Sequence, residues 1–100
     1  MTTLFVVTLI KGRACDASKP MRSQQQWTEH ATLMDRLAAD GFIVLGGPLG
    51  DESTVLLVVK AAEESEIHST FARDPWIQSG IREMQAIQRW TILLQAGKEP

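Results

Sequence analysis

His30 and Asp74 are the two side chains with the clearest potential for acid–base chemistry in this sequence. An imidazole titrates near neutral pH, so His30 in a cleft would serve as a general acid or base. Asp74 would orient the imidazole and stabilise its charged form. Each residue also has a structural interpretation. His30 would be a core-edge histidine bonded to a backbone carbonyl, and Asp74 would cap or turn the chain at a helix end.

His30 lies in a segment whose apolar residues recur at helical spacing. From Gln24 to Asp40, at 100° per residue, the apolar side chains fall on one side of a helix and most polar ones on the other. The apolar set comprises Trp27, Ala31, Leu33, Met34, Leu37 and Ala38. Ser23 is the expected N-cap, and Gly41 is the expected left-handed residue after the helix. His30 shares the apolar phase and is therefore expected to point toward the sheet.

Other candidates for chemistry carry weaker signals. Gly46-Gly47-Pro48 favours a plain turn over an anion-binding nest of backbone N–H groups, because Pro48 lacks a donor. Cys15 in a polar loop is interpreted as a bystander thiol, since no base is near it in the sequence. His68 is interpreted as a surface residue. Two histidines without a cysteine or carboxylate at ligand spacing argue against a metal site.

Composition and charge exclude several function classes. The chain has 100 residues, of which 44% are hydrophobic and 22% charged, as in an ordinary globular domain. The net charge of -2 argues against a nucleic-acid or anionic-membrane surface, which needs a basic patch. The apolar run Leu4 to Ile10 is too short to span a bilayer, and no basic segment of a signal peptide precedes it. The single cysteine excludes an internal disulfide and favours a cytoplasmic location.

The pattern of apolar runs and turn residues predicts an α+β fold with β-α-β-β-α-β order. Predicted strands cover 4–10, 42–45, 54–60 and 81–94, with a bulge at Ile87-Gln88. A second helix is expected over 63–73 and ends before Pro75. A single domain would span 1–95, and 96–100 would form a C-terminal tail.

The same pattern predicts a homodimer. Two helices cover one face of a four-stranded antiparallel sheet, yet the first and third strands are apolar on consecutive residues. Their second face also needs cover, and in a small domain a second copy of the sheet is the simplest cover. We therefore expect a two-fold dimer through the sheet faces.

Four short motifs, in this order along the chain, resemble the YCII-related proteins of the dimeric α/β-barrel superfamily. They are Trp27-x-x-His30, Gly46-Gly47-Pro48-Leu49, Asp74-Pro75-Trp76 and Arg89-Trp90. The resemblance runs over essentially the whole chain. It implies a ferredoxin-like protomer, a homodimer with packed sheets, and a ligand pocket between the sheet and the helices of each protomer.

The resemblance also implies roles for individual residues. A catalytic histidine–aspartate pair of the family would correspond to His30 and Asp74, and the Gly47-Pro48 segment would lie near the same pocket. Trp27 and Trp76 are interpreted from the residues alone as core or pocket-wall side chains, and at the pocket wall they would contact the substrate. Many members carry an arginine where this chain has Trp27. Either another base such as Arg22 replaces that arginine, or the ligand is less charged.

Three functions follow as hypotheses. The first is a small cofactor-independent enzyme in which His30 moves a proton of an apolar, cyclic or aromatic substrate, in an isomerisation, dehydration or dehalogenation-type elimination. The second is a non-catalytic dimer that binds a small molecule or a partner. The third is a purely structural dimer, in which His30 and Asp74 bond only to backbone groups. Neither a cofactor nor a metal is expected in any of them.

Overall fold

The computed structural model describes residues 2–98, and in these the strands and long helices follow the predicted order. Strands β1 to β4 span Thr2–Lys11, Ile43–Leu49, Thr54–Val59 and Arg82–Ile92. Helices α1 to α3 span Trp27–Ala39, Glu64–Phe71 and Pro75–Ser79, and a single 3₁₀ turn covers Met21–Ser23. The predicted tail, 96–100, extends past the described residues, and its residues 96–98 lie outside the strands and helices.

The four strands form one antiparallel sheet in the order β2-β3-β1-β4. The central strands β1 and β3 pair from Phe5 opposite Val59 to Ile10 opposite Thr54. Strands β2 and β4 are the two edges. This order and direction confirm the predicted ferredoxin-like α+β fold.

The helices cover one face of this sheet, where the hydrophobic core forms. Alternate residues of β1, namely Phe5, Val7 and Leu9, are buried there because successive side chains of a strand point to opposite faces. Helices α1 and α2 contribute four buried apolar side chains: Leu33, Leu37, Ile67 and Phe71. The phase predicted for α1 is therefore confirmed.

The opposite sheet face, here called the open face, is apolar without helices to cover it. The strand register places on it Val6, Val58, Leu56, Leu45, Leu49 and Trp90, since paired residues share a face. Within the described monomer Leu45 is 63% exposed and Trp90 47% exposed. The open face is thus the surface that the sequence-based dimer prediction requires.

Helix α1 begins three residues later than predicted. Gln26 precedes it in the left-handed conformation, with φ of 63°, so the helix cannot extend back to Gln24. The predicted N-cap, Ser23, lies in the 3₁₀ turn instead. The side chain of Gln24 is buried and bonds to the backbone of Asp16 and Lys19, which holds the preceding loop. At the other end Gly41 is left-handed, as predicted.

Gly46-Gly47-Pro48 is part of strand β2, so the predicted turn at this position is wrong. The strand runs to Leu49, and the chain turns over the next four residues. Pro48 is tolerated because β2 is an edge strand, where a missing N–H breaks no ladder between two neighbours. An extended backbone points successive N–H groups to opposite sides, so the nest alternative is excluded as well.

The last third of the chain differs from the prediction in two places. Helix α2 ends at Phe71, and the Asp74-Pro75-Trp76 segment begins a separate short helix, α3. The bulge of β4 lies at Gln85 and not at Ile87-Gln88, because Thr8 pairs with Ala86 and Leu9 with Met84. In the described part of the chain no helix has the length and apolar character needed to cross a membrane.

Candidate active site

Asp74 is the residue that precedes helix α3, and its side chain contacts both this helix and His30 of α1. Its Oδ1 accepts the backbone N–H of Trp76 at 2.9 Å, which is an N-cap hydrogen bond. Pro75 occupies the first turn, where its missing N–H costs nothing. Asp74 is therefore a helix cap, but at the start of α3 and not at the end of the second helix, where the sequence interpretation placed it. The cap also fixes the direction in which its carboxylate faces α1.

The same carboxylate oxygen contacts the imidazole of His30. The Nδ1 of His30 and the Oδ1 of Asp74 are 2.9 Å apart, across 44 residues of sequence. Asp74 is fully buried and His30 is 8% exposed. A carboxylate anion only accepts hydrogen bonds, so this contact favours the tautomer in which Nδ1 donates and Nε2 is the basic nitrogen. The sequence expectation that the two residues meet is met by the geometry.

The imidazole is also fixed from its flat side. The indole of Trp76 stacks on it with ring centroids 3.9 Å apart and planes 7° apart. The indole Nε1 donates to the carbonyl of Gln25 at 2.7 Å, which holds the ring in place. Trp27 lies at a tilt beside both rings, 5.9 Å from His30 and 5.6 Å from Trp76. Rotation of the imidazole is restricted by this packing.

His30 lies in the wall of a cleft between α1 and the edge strand β2, with a volume of about 770 Å³. Apolar side chains of α1, β1 and β3 line much of it, including Met34, Leu9, Val55 and Leu57. Strand β2 contributes its segment from Ile43 to Pro48 to the lining. The two glycines in this segment have no side chains that could fill the cleft. The cleft has the size of a small-molecule site.

The residues predicted for the site are brought together at this cleft. His30, Trp27, Gly47, Pro48 and Trp76 all line it. Asp74 lies behind His30, away from the lining, and reaches the cleft only through the imidazole. Their roles in catalysis and in substrate binding stay predictions.

Two candidates considered in the sequence lie away from the cleft. His68 is exposed on α2, and Cys15 is half-buried in the loop after β1. Among the described residues, no three histidine, cysteine, aspartate or glutamate side chains are grouped so that they could hold a metal ion.

The arginine considered as a replacement for the family's arginine does reach the site. The guanidinium of Arg22 lies 5.7 Å from the ring centroid of Trp27, within the range of a cation–π contact. Arg22 lines the cleft and is exposed to solvent. The structure also places a second basic residue at the cleft, which the sequence analysis does not predict.

That second basic residue is Arg82, which lines the cleft and is only 3% exposed. Its guanidinium donates from Nη1 to the carbonyl of Ser53 at 3.0 Å and from Nη2 to that of Glu52 at 2.7 Å. Burial lowers the pKa of Arg82, and the nearby Cys15 and Glu52 oppose this effect. One feature of the sequence indicates the burial of Arg82. It lies two residues before Met84, and residues two apart in a strand share a face, so both lie on the inner face of β4.

The fold and the sequence are similar to those of known proteins. The chain is similar over 95% of its length to the 5-chloro-2-hydroxyhydroquinone dehydrochlorinase of Burkholderia phenoliruptrix, solved in complex with 2,5-dihydroxybenzoquinone. The match covers 99% of that protein, with a TM-score of 0.61 and 22% sequence identity, and it supports the fold. No curated protein shows significant similarity to the chain. The sequence profile of the YCII-related domain matches residues 4–91, and the chain therefore belongs to the YCII-related family.

Proposed function

We propose that this protein is a small cofactor-independent enzyme in which the His30–Asp74 pair moves a proton of a small, apolar, cyclic or aromatic substrate. The observation that carries the proposal is the 2.9 Å contact between His30 and the fully buried Asp74 in the wall of a cleft. A buried imidazole held by a carboxylate and facing a cavity is the arrangement of a general base.

The proposed step is an elimination or isomerisation. His30 takes a proton from a substrate O–H or C–H through Nε2, and the freed electron pair forms a new double bond. In an elimination, a leaving group on a saturated ring carbon departs with its own bonding pair, for example as chloride. A chlorinated phenol reaches that state by first tautomerising to its keto form, in which the carbon that bears chlorine has gained the phenol proton. In an isomerisation, the imidazolium returns the proton to another substrate atom. Asp74 stabilises the imidazolium in both cases, and neither reaction requires an oxidant or reductant.

The substrate class is proposed from the cleft walls and from the structural neighbour. Trp27 and Trp76 present aromatic surface suited to a flat ring, and Gly47 and Pro48 line the same cleft without large side chains. The neighbour acts on a chlorinated hydroxyhydroquinone, as its name states, and holds a dihydroxybenzoquinone. A hydroxylated or halogenated six-membered ring is therefore our first candidate substrate for this chain.

The functional unit is proposed to be a homodimer in the cytoplasm. The apolar open face supports the dimer, because a second copy would bury Leu45, Leu49 and Trp90 against its own sheet. The single cysteine supports a reducing compartment. Each protomer would keep its own cleft, since the cleft lies on the helix side of the sheet.

A chloride-release assay with 5-chloro-2-hydroxyhydroquinone and related ring halides tests the proposal. We expect wild-type turnover, a loss of at least about 100-fold in His30→Gln, and unchanged turnover in the exposed control His68→Gln. Full activity in His30→Gln would contradict the assigned role. If a ring compound stabilises the protein against heat but is recovered unchanged, the alternative of a non-catalytic binding dimer is correct.

A further inference from the structure

We propose that Arg82 is an oxyanion-binding residue of the cleft, so that the ligand binds with an ionised oxygen, as a phenolate, enolate or carboxylate. This inference rests on the proposed function only in taking the cleft as the ligand site. It adds a substrate charge and a binding residue, neither of which the His30–Asp74 pair requires.

The first support is the location of Arg82. Arg82 lies at the start of β4, opposite Lys11 of β1, on the sheet face covered by the helices. It is 3% exposed and forms part of the lining of the same cleft as His30. A buried cation beside a largely apolar cavity attracts an anion more strongly than an exposed one, because water screens it less.

The second support is that Arg82 has no ion-pair partner among the described residues. Among residues 2–98, no carboxylate lies within ion-pair distance of its guanidinium. Cys15 and Glu52 both lie near enough to favour the charged form of Arg82, but the Oε1 of Glu52 accepts the backbone N–H of Met21 at 3.3 Å. Removing a guanidinium from water without an anionic partner is costly, and a bound anion would offset that cost.

The third support is the unused hydrogen-bonding capacity. A guanidinium has five N–H donors, and two of them bond to the carbonyls of Ser53 and Glu52. The Nε–H is buried and has no partner in the described part of the chain. These two carbonyl bonds hold the fork in place from the β2–β3 turn, and the remaining donors are suited to an oxyanion.

A purely structural role is the competing explanation. The turn that Arg82 bonds contains Glu52 in the left-handed conformation, with φ of 71°, and such a turn benefits from a donor to its carbonyls. A clamp of this kind would affect stability alone. It would not make the cleft prefer an ionised ligand over a neutral one of the same shape.

Arg22 is the matched control. It also lines the cleft, but its guanidinium is exposed and lies over Trp27, so its charge is screened by water. The cleft also contains an exposed carboxylate, Asp35, which opposes anion binding and is the same in every variant below.

The test uses 4-nitrophenol, whose ionised form absorbs visible light, and 4-nitroanisole, its methyl ether that cannot ionise. For the wild type we expect the phenolate to bind at least about 10-fold more tightly than the ether, as a hydrogen bond to a charged group predicts. In Arg82→Met we expect phenolate affinity to fall by about 10- to 100-fold, with ether affinity within about 3-fold of wild type. Arg82→Lys should recover part of the preference, and Arg22→Met should keep it.

Three results would overturn the proposal: equal wild-type affinity for the two probes, an unchanged phenolate preference in Arg82→Met, or loss of the preference in Arg22→Met. If Arg82→Met does not fold, the wild-type comparison and Arg82→Lys still decide. None of these measurements needs turnover. An inactive protein that binds phenolate through Arg82 would refute the proposed enzyme and leave this inference intact.

Discussion

The indole of Trp76 lies flat against the imidazole of His30, with ring centroids 3.9 Å apart. The backbone N–H of the same tryptophan bonds to Asp74, and its indole N–H bonds to the carbonyl of Gln25 at 2.7 Å. One residue of the five-residue helix α3 thus contacts both members of the proposed dyad. Although His30 belongs to the longer helix α1, its ring and its carboxylate partner are both held by contacts with α3.

Replacement of Trp76 by phenylalanine tests this anchoring. Trp76→Phe keeps an aromatic ring but removes the indole N–H and some buried volume. We expect the free energy of unfolding to fall by about 1–3 kcal/mol in urea denaturation. Trp27→Phe is the control, because Trp27 is half-buried and no described residue accepts its indole N–H. Equal losses in both variants would contradict a special anchoring role for Trp76.

Removal of the Asp74 carboxylate should be the most damaging polar substitution in the protein. Asp74→Ala leaves the Nδ1 of His30 and the N–H of Trp76 without their acceptor, so we expect a loss of about 3–5 kcal/mol. Asp74→Asn keeps the oxygen but buries an amide without a partner, and about 1–3 kcal/mol is expected. Asp40→Ala, at the exposed end of α1, should stay within about 0.5 kcal/mol. Denaturation curves in which Asp74→Ala matches Asp40→Ala would refute the buried hydrogen-bond network.

The two glycines of the cleft wall should respond differently to a methyl group. A Cβ on Gly46 would overlap with the Cδ2 of Leu57, whereas a Cβ on Gly47 would meet nothing within 4 Å. We expect Gly46→Ala to cost about 1–3 kcal/mol and to narrow the cleft, because Leu57 is buried and must move. Gly47→Ala should keep wild-type stability. Thermal melts of the two variants test this prediction. A lower melting temperature for Gly47→Ala than for Gly46→Ala would contradict it.

A charge on the open face should dissociate the proposed dimer. Leu56 lies on this face in a central strand and is half-buried in the described chain. We expect a dimer for wild type in sedimentation velocity at micromolar concentration, and a monomer for Leu56→Lys, because a lysine from each copy would be buried in the proposed interface. Ala39→Lys, on the exposed end of α1, should remain dimeric. A stable wild-type monomer would remove the sheet-burial argument.

The sequence predicted the fold well because its signals are periodic and repeated. The continuous apolar run of β1 and the helical phase of His30 each depend on many residues, so small errors at the ends did not change the result. The contact of His30 with Asp74 was expected from the family resemblance alone, since no local pattern links residues 44 positions apart.

Shorter features escaped prediction for physical reasons. Helix α3 has five residues, too few to show a period, so Asp74-Pro75 was interpreted as the end of α2. Gly46-Gly47-Pro48 has turn chemistry, but its position on an edge strand removes the usual cost of proline. Arg82 was overlooked because charged residues usually face solvent, and its burial depends on carbonyls of Glu52 and Ser53, thirty residues away in the chain.

The ring nitrogens of His30 offer the most direct test of the proposed base. In a protein labelled with ¹⁵N, long-range ¹H–¹⁵N correlation spectra distinguish the two neutral tautomers. We expect neutral His30 to carry its proton on Nδ1, toward Asp74, with Nε2 unprotonated and free to accept a proton from a ligand. A neutral imidazole protonated on Nε2 would contradict this account, because the nitrogen facing the substrate would then be a donor and not a base.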